Sequence, residues 1–86
     1  MEGNSCMSAE ITVLRLGLYL EANKGHVLDF KDSVHKGASV VLCFLPHNIV
    51  HPFVVHTYND LNGNCYSGDY CLDITRGLEA FRDRIA

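Results

Sequence analysis

Positive charge is scarce in this sequence. Seven Lys and Arg residues face ten Asp and Glu, for a formal net charge of −3. A phosphate backbone needs a basic stripe or patch, so nucleic acid is not an expected partner. The basic residues are also dispersed: Arg15, Lys24, Lys31, Lys36, then Arg76, Arg82 and Arg84. Only those last three cluster, and Glu79 and Asp83 are interleaved with them. No apolar run approaches the roughly 20 residues that span a bilayer, and no membrane association is expected. The opening MEGNSCMSAE is polar and does not read as a secretory signal. A cytoplasmic setting follows as the expectation, with Cys6, Cys43, Cys65 and Cys71 as reduced thiols. No C-x-x-C pair is present, which excludes a zinc ribbon and a thioredoxin-type motif. A glycine-rich phosphate cradle and a nucleophile elbow are missing as well, and no cofactor is expected.

Apolar side chains, by contrast, are plentiful. Of 86 residues, 48% are hydrophobic and only 20% charged. A chain this short buries only about 60–65% of its unfolded surface on its own. Surplus apolar surface of this kind is commonly covered by a second copy of the same chain, and a homodimer or higher homo-oligomer is expected. The length fits a single domain, read as residues 8–86 behind a leader at 1–7.

Local patterns predict an α+β fold with a three-stranded antiparallel sheet, an N-terminal helix and a C-terminal helix. Ser8 and Glu10 suit a helix start, and Asn23-Lys24-Gly25 suits a helix stop. The intervening segment also reads as a strand, because Leu14, Leu16, Leu18 and Leu20 alternate. The stop signal favours the helix. Val27–Phe30 reads as a short extended piece and Asp32–Lys36 as a turn. ASVVLCFLP, residues 38–46, is a continuous apolar run and reads as a buried central strand. FVVHTYN and CYSGDYC follow as strands joined at Asn62-Gly63, a strong hairpin signal. Asp73 caps a final helix with Ile74, Leu78, Phe81 and Ile85 on one stripe and Arg76, Glu79, Arg82 and Asp83 toward water.

A tight turn at Asn62-Gly63 places His56 opposite Asp69, Tyr58 opposite Ser67 and Val54 opposite Cys71. It puts Phe53, Val55, Thr57, Tyr66, Gly68 and Tyr70 on the other face. His56 held by Asp69, with Cys71 or Ser67 as nucleophile, is then a candidate hydrolase set. The nucleophiles stand diagonal to the histidine, and a surface His–Asp pair is the preferred reading. Tyr58, Tyr66 and Tyr70, with His56, are candidate ligand-binding residues lining a cleft; packing tyrosines with wet hydroxyls are the plainer reading. His47, His51 and His56 are imidazoles without a carboxylate or cysteine inside residues 46–56, so no metal site is expected. Cys43 reads as a small core residue.

Residues 52–85 resemble small proteins encoded by bacterial integron gene cassettes. The resemblance rests on Gly63, Gly68, Asp69, Tyr70, Asp73, Phe81 and Arg84, in a strand–turn–strand–helix order. It implies a small α+β protein of bacterial origin, often homo-oligomeric, and supplies no catalytic residue. The function expected from all this is a non-enzymatic binding or interaction module. The alternatives are a small-molecule-binding protein with a tyrosine-lined cleft, or a thiol/histidine hydrolase.

Overall fold

A computed structural model describes residues 14–35 and 37–86. Five antiparallel strands form one curled sheet in sequential order: β1 (Tyr19–Leu20), β2 (Gly25–His35), β3 (Ala38–Phe44), β4 (Phe53–Asn59) and β5 (Cys65–Cys71). One helix follows, α1 (Ile74–Ile85), packed on β3, β4 and β5.

This corrects the expected three-stranded sheet with an N-terminal helix. Within the described part of that expected helix, residues 14–18 are irregular and Tyr19–Leu20 is a strand. Gly17 N donates to Val27 O at 2.7 Å and Val27 N to Leu18 O at 2.8 Å, so the segment pairs alongside β2. Asn23-Lys24-Gly25, read as a helix stop, is the β1–β2 turn. Lys24 takes a left-handed φ of 56° and its N–H donates to Leu20 O, while Asn23 Oδ1 accepts from Gly25 N. A cation and a glycine after an apolar run suit either ending; the alternating leucines were the better guide. Leu14 and Leu20 are buried, and Leu16 is exposed. The proposed helix start at Ser8 and the leader at 1–7 lie outside the described residues. The turn expected over Asp32–Lys36 is also displaced, since β2 runs on to His35.

β3 is the centre of the molecule, as its composition requires. Val40, Val41, Leu42 and Cys43 are all buried although consecutive side chains point to opposite faces. Both faces therefore need cover. On the inner face, Val41, Cys43, Val54 and Tyr58 pack with Val27, Leu45, Leu14 and Leu20. Irregular pairing of β2 with β3, between Val27 and Asp29 and again between Lys31 and His35, accompanies the curl over this face. On the outer face, Val40, Leu42 and Val55 pack with Phe81, flanked by Leu78, Ala80 and Ile85 of α1. The helix stripe is as expected, except that Ile74 stays exposed. Asp73 caps the helix, its Oδ1 accepting from Arg76 N at 2.9 Å. Among the described residues no helix is long and apolar enough to cross a membrane.

Gly77 sets how closely the helix approaches. A Cβ there would lie 3.1 Å from Leu42 Cδ1 and 3.4 Å from Phe53 Cβ. Replacing it with leucine gains about 0.8–1 kcal/mol of helix propensity but overpacks the seam by about 1–3 kcal/mol. Gly77→Leu is expected to lower the urea midpoint with an unchanged m-value; a raised midpoint would mean the helix sits off the sheet.

Candidate functional site

The β4–β5 hairpin carries every residue singled out for chemistry, so its register decides which of them meet. The connection is not a two-residue turn. Asn59 Oδ1 accepts from Leu61 N and Asn62 N, Gly63 N donates to Asn59 O, and Gly63 turns with φ 77°. The asparagine side chain thus holds a wider loop than Asn62-Gly63 alone implies. Tyr58 pairs with Cys65 and Thr57 with Tyr66. A bulge follows, where Ser67 and Gly68 both lie against His56, with Ser67 at φ 55°. Beyond it Val55 pairs with Asp69, Val54 with Tyr70 and Phe53 with Cys71.

The wider loop and the bulge reassign the faces. His56, in phase with Val54 and Tyr58, points to the inner face and is 5% exposed. Asp69 and Cys71 point to the outer, helix-bearing face, beside Val55 and Phe53. The structure therefore does not bring His56, Asp69 and Cys71 together. Asp69 is instead held by Arg84 of α1, whose Nη2 lies 2.6 Å from Asp69 Oδ2, while Nη1 reaches Thr57 Oγ1 at 3.4 Å. Arg84, grouped by sequence with a solvated helix face, is the polar tie between α1, β4 and β5. Because Asp69 is largely exposed, that ion pair contributes at most about 1 kcal/mol. Ser67 sits in the bulge and is exposed.

The tyrosines also separate. Tyr58 is buried on the inner face, Tyr70 is on the same face but half exposed, and Tyr66 is on the outer face. Only Tyr70 meets His56, edge to face with ring centroids 5.9 Å apart. No pocket forms among the described residues. His47 is exposed in the β3–β4 loop and His51 half-buried, its N–H donating to Asn48 Oδ1. No group of three His, Cys, Asp or Glu side chains among the described residues is placed to hold a metal ion.

Two features escaped the sequence reading. Neither ring nitrogen of His56 has a hydrogen-bond partner. Its phase with Val54 and Tyr58, opposite Val41 of the apolar strand, was the available signal. Burial, reinforced by the Arg84 charge, lowers its pKa below the ordinary 6.5. The second is an apolar end to the sheet. Phe44 and Phe53 stack at 5.7 Å, and Phe44, Ile49, Val50, Leu72 and Ile74 are exposed there. The apolar pair Ile49-Val50 in a connector was its signal.

The thiols are poor nucleophiles. Burial raises all three, with neighbouring Asp69 and Asp73 adding to the effect at Cys71. Cys65 is pushed up to about 12. No protein-family model, curated protein or solved structure matches this chain.

Thiol titration with a disulfide reagent at pH 7.5 should find no cysteine faster than free cysteine. Cys65 should carry about a thousandfold less thiolate than an ordinary thiol. A fast Cys71 would restore the hydrolase alternative.

Proposed function

We propose that this chain is a non-enzymatic interaction module that associates with a second copy of itself through the apolar end of its sheet. The observation that carries the reading is the gathering of exposed Phe44, Ile49, Val50, Leu72 and Ile74 where β3 ends, β4 begins and β5 passes into α1. Ile49 is 93% exposed, with no described partner to explain an isoleucine in that position. Clustered exposed apolar side chains mark interaction sites more often than single ones do.

A second copy is the occupant because the patch has no charge pattern to select a different protein. Within residues 44–53 and 71–74 the sole acidic or basic side chain, histidines aside, is Asp73, already committed to capping α1. A neutral apolar surface is complementary to itself and suits a two-fold, isologous contact. The resemblance of residues 52–85 to often homo-oligomeric cassette proteins points the same way. Cys43, Cys65 and Cys71 as free thiols suit a cytoplasmic setting. The separated tyrosines and the divided His56, Asp69 and Cys71 give the ligand-cleft and hydrolase alternatives less support than this one.

Sedimentation velocity at micromolar concentration should give twice the chain mass for the wild type. Ile49→Asp combined with Leu72→Asp, at exposed positions that leave the core alone, should give the mass of one chain with unchanged circular dichroism. A monomeric wild type, or a dimer indifferent to both aspartates, overturns the proposal.

A further inference from the structure

We infer that His56 is a proton-operated latch on the β5 edge: a proton added to its ring releases the Ser67–Gly68 bulge and loosens β5 from β4. The latch needs only one copy of the chain and is separate from the self-association surface.

The argument begins with an imidazole that has nowhere to put a second proton. His56 is 5% exposed, and Nδ1 and Nε2 are both without partners. A neutral ring carries one donor and one acceptor; the cation carries two donors and a charge. Its surroundings offer no acceptor for either. β3 presents Val41, which cannot ionise. β5 presents Gly68 and the ring of Tyr70. From α1 the charge that reaches the site is Arg84, which is positive and opposes protonation. The Arg84 partner, Asp69, projects from the other face of the sheet. Cys43 and Cys65 on the inner face are held as neutral thiols by burial.

A buried cation without partners moves toward water by the cheapest path. That path lies through β5. On the opposite side stands β3, with Val41 fully buried in the central core. β5 is an edge strand, and residues 66–70 are exposed. Its ladder is already interrupted where it crosses His56. Contact there is also close, since a Cβ on Gly68 would lie 2.8 Å from His56 Cε1. Displacing the bulge breaks few bonds and uncovers the ring.

The direction with pH follows from the lowered affinity of the closed state for a proton. The open form, with its ring in water, protonates near the ordinary 6.5; the closed form protonates only at lower pH. β5 is therefore fully latched above about pH 6.5, and the open fraction grows up to about tenfold per pH unit as pH falls below it. The linkage ends once the closed form also protonates.

Amide hydrogen exchange over residues 65–71, in wild type and His56→Phe between pH 7.5 and 5, tests this. The ratio of wild-type to variant rates cancels the intrinsic pH dependence and the other histidines. It should rise several-fold on acidification in β5 and stay flat in Val40–Cys43. A flat ratio in β5, or an equal rise in β3, overturns the latch. If His56→Phe does not fold, proton NMR of the wild-type His56 Cε1–H replaces it. Its midpoint should lie below 6.5 and return toward 6.5 in Tyr70→Ala, which opens the ring to water; a midpoint at or above 6.5 in the wild type overturns the proposal.

Discussion

A seven-residue strand that is apolar on both faces can be stable in water only between two layers, and β3 imposes that requirement on the rest of the chain. Val41 and Cys43 call for cover on one side, Val40 and Leu42 on the other. At about 1.5–3 kcal/mol for each fully buried aliphatic side chain, neither face can be left wet. The chain meets the two demands differently. One face is closed by the sheet's own curl together with Leu14, Leu20 and Leu45. The other is closed by a single helix whose glycine lets it sit close. β2 and β4 are held on either side of β3 because an inner strand must pair along both edges.

Sequence features that report on local chemistry were legible, and those that depend on competition between equivalent local solutions were not. The apolar run at 38–46 fixed the central strand, and the Asp73 cap with its stripe through Phe81 fixed the helix. The first helix failed because Asn23-Lys24-Gly25 ends a helix or turns a hairpin equally well. The deciding factor was tertiary: Leu18 O is more useful accepting from Val27 N across the turn than within a helix. Tertiary pairing overrides a local stop signal whenever a neighbouring strand offers the same hydrogen bonds.

The candidate site was misread for a reason that lies in two residues. Asn59 has a side chain able to hold two amides of the following loop, which lengthens the connection beyond the Asn62-Gly63 pair. Ser67 then adds one residue to β5 without a partner. Because strand side chains alternate, such a change carries whatever follows to the opposite face. Alternation within β4 was read correctly, and Val54, His56 and Tyr58 do share a side. What the sequence could not show is that this side faces inward, so a histidine assigned to a polar face lies in the core.

The two extremes of packing meet across one strand pair. β4 is bound on its β3 side to the densest part of the molecule, and on its other side to an exposed, bulged edge tied to α1 through Arg84. Local opening starts where buried apolar contacts are few and backbone is exposed, which makes β5 the element most able to move while β3 stays in place. A polar ring without partners sits at that boundary, under the one interruption in the β4–β5 ladder. A core built only for stability would favour an apolar residue opposite Val41. An imidazole there weakens the edge rather than the centre, so the cost of burying it falls on the strand that can detach without unfolding the rest.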